Sequence, residues 1–521
     1  MVDHQEKETW VFLFKIQVFF SCVAFSIIVP SIAPYLARMG ASEYVLGVAV
    51  AVYSLGEMIG SAFFGQWMTV AIVKNPASGP KNALLLSIFL GFIGSTFYVL
   101  ADAQRGHNNL GPALVILARL TSGIWTGGKM VIEQTYIGEA AAPERNTKIT
   151  SEVGVYAVLG FVVGPSIGAV FSPIHIQLAP DWLLDQYTAP GYFMAFLCLL
   201  MIAATWFIFD PMAGYYLDPK LKQLASSSKY NKQPKTKSNE KDEEKGLHAS
   251  ANISTANTEQ QQLLSSQQHF PQPDKNGLTI LLIAFFAHFY SFAIQETITT
   301  PFVAARFQWS QRQIDYLFAG CGLLSLLASF IVTQLAKCFS DHALLILSLL
   351  LGLLGSLLLI DEPLAPNLGE SRFFLGFALI TIAFPFGRNI ALAMFSKVLG
   401  PTPQGAWFGL CFVIGAIPRC LGPSWSLYVL NLACFIFPSP APCPPGGRSC
   451  LEFAISAFFF ASTLLLIRIF SRSILPFDER WADSKRRGSP VLELSPASSA
   501  ARRAVKRAKQ NFTQLNSATQ H

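Results

Sequence analysis

The chain has 521 residues, of which 52% are hydrophobic and only 13% carry a charge. Soluble globular proteins average about 25% charged residues, so this composition argues against an ordinary soluble enzyme. The length and the apolar content also exclude collagen-like, disordered and small disulfide-rich classes. The net charge is +7, which raises the question of nucleic-acid binding. Only the positions of the basic residues can answer it.

Twelve apolar segments are long enough for a helix that crosses a bilayer, which takes about 20 residues. The predicted spans are 11–36, 44–72, 83–101, 111–136, 149–172, 190–209, 278–304, 313–337, 342–360, 372–396, 405–435 and 451–471. The polar first nine residues and the long apolar run after Trp10 do not fit a cleaved signal peptide. The predicted fold class is therefore an all-α membrane protein with twelve transmembrane helices.

A polar stretch divides the spans into two sets of six. We predict an N-terminal six-helix bundle over 1–209, a disordered cytosolic loop over 210–277, a C-terminal six-helix bundle over 278–471 and a basic cytosolic tail over 472–521. The loop is rich in Ser, Lys, Gln and Asn and cannot bury a core of its own.

The basic residues are distributed unevenly between the two sides of the membrane. If both termini are cytosolic, the cytosolic segments hold 27 Lys and Arg and the opposite segments hold 6. Lys and Arg accumulate in cytosolic loops of membrane proteins, so this count predicts cytosolic termini. The basic surplus then reflects topology within a lipid bilayer, and we predict no nucleic-acid partner.

Nine cysteines are present, and seven of them, Cys434 included, lie within or at the ends of apolar segments. Cys443 and Cys450 instead flank a Pro/Gly-rich loop on the predicted non-cytosolic side. They form a disulfide there or remain two free thiols. The Cys and His spacings match no metal site, and no cofactor is predicted.

The fifth and eleventh spans carry a matching interruption. The fifth contains Gly160, Gly164, Pro165 and Gly168, and the eleventh contains Pro418, Gly422, Pro423 and Ser426 at the corresponding spacing. A matched interruption in two halves indicates a transporter built from pseudo-symmetric repeats. We predict two pseudo-symmetric bundles, with hinge or gating contacts at Gly160, Gly164, Pro165, Gly168, Gly422 and Pro423.

Ionisable residues inside spans are costly and normally face the bundle interior or a wet cavity. The predicted substrate or ion pathway comprises Glu57, Arg119, Lys129, Glu133, Glu296, Arg388 and Arg419. The cations outnumber the acids by one, which favours an anionic solute. Lys129 and Glu133 are four residues apart, so a structural ion pair is the alternative interpretation. Near a span end, Glu452 is expected to reach the membrane interface.

The sequence resembles the major facilitator superfamily through its twelve spans, the Arg119-xxx-Gly123 pattern and the glycine–proline motif of the fifth span. Within it, several stretches are similar to the ceroid-lipofuscinosis-associated lysosomal membrane proteins. These stretches are YSLG at 53–56, ETITTP at 296–301, SKVLGPTPQG at 396–405 and RCLGP at 419–423.

This resemblance implies an endolysosomal membrane protein in a family for which chloride conduction is proposed. It makes Glu296, Arg119 and Arg419 pathway or gating candidates. Glu259, Leu263 and Leu264 are similar to the acidic dileucine signal through which that family engages a sorting adaptor. The sequence departs from the superfamily after Gly65, where an uncharged run to Lys74 replaces the charged loop of the usual cytosolic gate.

We therefore predict a monomeric carrier that moves a small anionic solute across a lysosomal or late endosomal membrane by alternating access. Arg119 and Arg419 would hold the negative group, and Glu296 would be the proton-linked or gating carboxylate. The alternatives are a chloride-conducting channel on the same scaffold and a non-transporting scaffold or receptor. No enzyme is predicted, because no nucleophile–base or metal constellation lies outside the spans.

Overall fold

The computed structural model describes residues 9–75, 78–104, 110–171, 173–179, 182–211, 273–361, 364–365, 368–400, 402–436 and 448–486. Twelve helices in these ranges are long and apolar enough to cross a membrane, which confirms the predicted number. Numbered as spans 1 to 12, they are Thr9–Ile28, Glu43–Lys74, Gly79–Ala103, Leu110–Ala140, Pro143–Val170, Ala189–Ile208, Lys275–Arg306, Gln311–Leu335, Asp341–Leu358, Glu370–Leu399, Gly405–Ile436 and Cys450–Ile469.

The first predicted span, 11–36, is two helices. Span 1 ends at Ile28, and a separate short helix covers Ile32–Arg38. Pro30 lies in the turn between them. Because proline has no amide hydrogen and its ring clashes with the preceding turn, a continuous helix through this position is disfavoured.

A β-hairpin that the sequence patterns did not predict connects spans 5 and 6. Its strands are His175–Ala179 and Trp182–Asp185, paired antiparallel with His175 opposite Asp185. Asp185 forms an ion pair with Arg38 at the end of the short helix and accepts backbone hydrogen bonds from Tyr187 and Thr188. The hairpin is thereby attached to the helix that follows span 1.

Spans 1–6 and spans 7–12 form the two halves, each around its own buried apolar clusters. Within the first half, spans 2 and 4 are in backbone contact through two pairs of glycines. A Cβ atom placed on Gly60 would lie 2.2 Å from the Ile124 carbonyl oxygen, and one on Gly127 would lie 2.2 Å from that of Glu57. Small residues allow this close approach, which fixes Glu57 against span 4.

The two halves meet along spans 2 and 11 on the side of the membrane where span 2 ends and span 11 begins, here called the terminal side. A Cβ atom on Gly405 would lie 2.5 Å from the Gly65 carbonyl oxygen, and one on Gly409 would lie 2.7 Å from that of Ser61. The helix backbones therefore touch there, and the halves are closed on this side.

Hydrogen bonds reinforce this closure. Thr147 of the first half donates to Asp341 of the second half at 2.9 Å, and Lys397 donates to Thr147 at 2.9 Å and to Asp341 at 2.6 Å. Asn146 donates to Ser396 at 3.2 Å. These five residues, Asn146, Thr147, Asp341, Ser396 and Lys397, form what we call the terminal-side lock.

The region after span 12 contains a short helix, Phe477–Arg486, within the stretch predicted as a tail. Arg480 of this helix forms an ion pair with Asp274 at 3.1 Å and donates to the Val398 carbonyl at 2.8 Å. These contacts hold the helix against spans 7 and 10. The dileucine residues Glu259, Leu263 and Leu264 lie outside the described residues.

A disulfide between Cys443 and Cys450, the first of the two alternatives, is wrong. Cys450 is a free, buried thiol at the start of span 12, whereas Cys434 at the end of span 11 is disulfide-bonded. Cys450 belongs to the first turn of a membrane-spanning helix, where its side chain joins an apolar cluster. Cys434 lies near the end of the apolar span 11, as predicted, but it is disulfide-bonded and not a free thiol.

Candidate functional site

An ion pair joins the two halves at mid-membrane depth. Arg419 of span 11 donates to Glu57 of span 2, with 2.8 Å between Nη1 and Oε2. Each residue lies midway along a helix of 32 residues. Glu57 is only 5% exposed, whereas a quarter of the Arg419 side chain is exposed. Arg419 is therefore the accessible member of the pair.

Arg119 of span 4 lies beside this pair on two aromatic rings. Its guanidinium is 4.3 Å from the centroid of Tyr53 and 5.4 Å from that of Phe25. The Tyr53 hydroxyl donates to Thr126 at 2.9 Å, which fixes the ring. Rings in this position attract a cation through their negative faces. Phe25 also lies 5.7 Å from the guanidinium of Arg419, so one ring contacts both arginines.

The Arg119 guanidinium is poorly satisfied for a buried cation. The residue is 4% exposed, and its Nε has no hydrogen-bond partner among the described residues. Among the residues that the structure describes, no carboxylate lies within ion-pair distance of the Arg119 guanidinium. A buried polar group without a partner is costly and indicates strain, water or an unseen ligand.

Two further predicted residues lie near Arg419. Arg388 of span 10 donates to the neighbouring Asn389 and interacts electrostatically with Glu57 and Arg419. Glu296 of span 7 interacts electrostatically with Arg419 and is exposed. Glu57, Arg119, Glu296, Arg388 and Arg419 thus gather where the halves meet, and we call them the central site.

The remaining two predicted residues pair with each other. Lys129 and Glu133 form an ion pair of 2.9 Å along span 4, and both are buried. Their charges cancel, as do those of Arg419 and Glu57. Arg119 and Arg388 then remain against Glu296, so the central site keeps one net positive charge.

The glycines of the predicted hinge motif pack span 5 against span 1. A Cβ atom on Gly160 would lie 2.5 Å from the Phe19 carbonyl oxygen, and one on Gly164 would lie 1.8 Å from the Ser26 hydroxyl. Gly168 leaves 3.4 Å to Ile27, which is ordinary contact. These glycines make contacts within the first half, and Pro165 lies inside the same helix.

The matching motif of span 11 packs more loosely against span 7. A Cβ atom on Gly422 would find its nearest neighbour, Ala293, at 3.6 Å. The helix continues through Pro423. Spans 5 and 11 therefore face equivalent partners in the two halves, but only in span 5 do the glycines of the motif lie tightly against that partner. A hinge role for either motif stays a prediction.

The expectation that Glu452 reaches the membrane interface is wrong. Glu452 is fully buried, and its carboxylate accepts a hydrogen bond from the Tyr290 hydroxyl at 3.1 Å. Trp425 donates to the same hydroxyl at 3.2 Å. The side chain lies in the first turn of span 12 and turns inward between spans 7 and 11. Its position near a helix start suggested the opposite, and no local pattern distinguishes the two cases.

Sequence comparisons agree with this architecture. The model of the Major Facilitator Superfamily matches residues 16–423. A frog protein, the major facilitator superfamily domain-containing protein 8 of Xenopus laevis, is 24% identical and aligns over 92% of this chain and 94% of its own. The SPX domain-containing membrane protein At4g22990 of Arabidopsis thaliana is 22% identical over 64% of this chain and 46% of its own length.

Solved structures show the same fold. The proton:xylose symporter XylE superposes with a TM-score of 0.63 at 14% identity, over 89% of this chain and 96% of its own. The human organic anion transporter MFSD10 superposes with a TM-score of 0.56 at 18% identity, over 88% of this chain and 99% of its own. Identities this low establish the fold alone. With twelve spans in two halves and a family model that covers most of its length, the chain belongs to the major facilitator superfamily.

Proposed function

We propose that this protein is a carrier that moves a small anionic solute across an endolysosomal membrane by alternating access. The observation that supports an anionic solute is the central site. There, two arginines without carboxylate partners among the described residues outnumber the one unpaired acid. Arg119 on its aromatic rings and the accessible Arg419 would together hold the negative group. A guanidinium offers several donors in a planar fork that suits a carboxylate or a phosphate.

Arg119 belongs to the first half and Arg419 to the second, which suits a carrier. A solute held by both arginines binds both halves, so its binding energy differs between states in which the halves are rotated differently. A ligand shifts a conformational equilibrium only through such a difference. Glu296 is an exposed residue in the field of Arg419, and its carboxylate is the proposed proton-linked or gating group.

The endolysosomal location rests on the family resemblance and on the Glu259–Leu263–Leu264 signal. The excess of Lys and Arg favours a cytosolic location for the termini and the central loop, where a sorting adaptor would find this signal. The chloride-channel alternative has no supporting observation among the relatives and structures compared, and we do not propose it.

The proposal is tested by profiling small molecules in lysosomes isolated from cells with and without the protein. An anionic metabolite should change in amount when the protein is absent and return to normal with the wild-type chain. Arg119→Ala should fail to restore it, although the variant still reaches lysosomes. Arg312→Ala, at an exposed arginine near the start of span 8, is the control and should restore it.

Unchanged lysosomal content, or a change confined to cationic or neutral metabolites, would contradict the proposal.

A further inference from the structure

We infer that Arg419 exchanges Glu57 for Glu296 as the halves rock, and that Glu57 binds a proton each time Arg419 leaves it. This inference rests on the proposed carrier function and assigns the coupling proton to a residue of the first half. It differs from a scheme in which Glu296 alone carries the proton.

The first step follows from the position of the ion pair. Glu57 belongs to span 2 and Arg419 to span 11, and these two helices touch from mid-membrane to the terminal side. Opening the terminal side must separate the Gly65–Gly405 and Ser61–Gly409 contacts. Rotation of one half against the other then lengthens the 2.8 Å ion pair, because its members move with different halves.

The second step concerns the carboxylate that is left behind. Glu57 is held by backbone contact between spans 2 and 4 and is only 5% exposed. An ionised carboxylate that loses its cation in such a place carries a large desolvation cost, which a bound proton removes. Proton uptake here is a simple addition, in which the carboxylate becomes a neutral carboxylic acid and Arg419 keeps its charge.

The third step identifies which of the cations around Glu57 can leave it. Arg419 faces it from span 11, Arg119 from span 4 and Arg388 from span 10, while Tyr53 lies one turn away on its own helix. Arg119 is already stacked on Tyr53 and Phe25, and the Arg388 side chain is hydrogen-bonded to that of Asn389. Arg419 is therefore the cation whose departure changes the charge balance of Glu57.

The fourth step is the new partner of Arg419. Glu296 lies on span 7 of the same half, so it moves with Arg419, and it is an exposed residue already in the field of this arginine. At Gly422, span 11 lies in ordinary van der Waals contact with Ala293 and Thr297 of span 7 and is not tightly packed. Arg419 therefore finds a carboxylate in either conformation, whereas Glu57 finds a cation in only one of them.

The test measures how far the two halves separate on the terminal side and needs no solute. Spin labels are placed on Glu144→Cys in the first half and on the native Cys338 in the second, both exposed on the terminal side, with other accessible cysteines replaced. The full chain is held in lipid nanodiscs, and the label distance is measured by pulsed electron paramagnetic resonance between pH 7.5 and pH 5.0. One linked proton changes the ratio of open to closed molecules by at most about tenfold per pH unit.

In the wild-type chain, the long-distance population should grow as the pH falls. Glu57→Gln mimics the protonated acid, so it should show the long-distance population at both pH values and lose the pH response. Glu452→Gln changes another buried carboxyl of the same fold and should keep the wild-type response. Glu296→Gln should lower the long-distance population at pH 5.0, because Arg419 then lacks its second partner.

An undiminished pH response in Glu57→Gln, or its loss in Glu452→Gln, would overturn the inference. If Glu57→Gln does not give folded protein, Arg419→Gln removes the same pair from the other side and should also abolish the response. Failure of this test leaves anion transport untouched, because the metabolite experiment on Arg119 reads a different property.

Discussion

The guanidinium of Arg419 lies 2.8 Å from the carboxylate of Glu57 and joins the two halves of the molecule in the middle of the membrane. Below this pair, towards the terminal side, the halves are in backbone contact at Gly65 and Gly405. Beside it, Arg119 is buried on aromatic rings without a carboxylate partner among the described residues. The pair thus lies between the closed terminal side of the protein and the unpaired cations of the central site.

The glycine contacts between spans 2 and 4 should be sensitive to a single methyl group. In Gly60→Ala the new Cβ would meet the Ile124 backbone at 2.2 Å, so the helices must separate. Overpacking of this kind costs about 1–3 kcal/mol, and the melting temperature should fall by several degrees. Gly47→Ala on the same helix meets nothing within 4 Å and should melt like the wild-type chain. Equal melting temperatures for the two variants in detergent would contradict the packing.

The terminal-side lock should depend on the hydroxyl of Thr147. Thr147→Val removes the bonds to Asp341 and Lys397 that cross between the halves but keeps the shape of the side chain. A hydrogen bond to a charged group contributes about 1.5–3 kcal/mol, so the open fraction should rise roughly tenfold to a hundredfold. Alkylation of a cysteine introduced at Ser61, which is buried where spans 2 and 11 touch and lies outside the lock, reports this opening. Thr96→Val, which removes only a bond to the Phe92 carbonyl of its own helix, should leave the alkylation rate unchanged.

The hairpin contact at Asp185 should persist at mildly acidic pH. Burial opposes the charge of this carboxylate, but hydrogen bonds from Arg38 and from the backbone of Thr188 and Tyr187 outweigh it and lower the pKa of Asp185. A lowered pKa contributes stability above the unfolded value of about 3.9 and loses it as the pH falls through the folded value. Asp185→Asn should therefore melt lower than the wild-type chain by the same margin at pH 7.5 and pH 5.0.

The difference in melting temperature between the wild-type chain and Asp185→Asn should shrink only below about pH 4. A margin that disappears between pH 7 and pH 5 would contradict the lowered pKa.

The twelve helices and their division into two halves follow from simple sequence patterns, whereas the site geometry does not. Apolar length predicts twelve spans, and the Gly164–Pro165 and Gly422–Pro423 matches predict two equivalent halves. The choice of partners escapes such patterns, because contacts such as Arg419 with Glu57 join residues 362 positions apart. The inward turn of Glu452 and the stacking of Arg119 on Phe25 likewise depend on neighbouring helices.

The dileucine residues should determine where the protein is found. Leu263→Ala with Leu264→Ala removes the apolar pair that a sorting adaptor would bind, so the protein should appear at the cell surface. Surface biotinylation measures this, and Leu224→Ala in the same polar region is the control. Surface biotinylation of the double variant no greater than that of the wild-type chain would contradict a sorting role for these residues.

The central claim is that the site around Arg119 and Arg419 binds an anion. The most direct measurement is the thermal stability of the purified protein with a small monocarboxylate, a phosphate monoester, chloride, a primary amine or a neutral sugar. A ligand at a hundred times its dissociation constant adds about 2.7 kcal/mol of stability. At least one anion should raise the melting temperature of the wild-type and Arg312→Ala chains but not of Arg119→Ala. Stabilisation by the amine or the sugar alone, or equal stabilisation of Arg119→Ala by the anion, would contradict the claim.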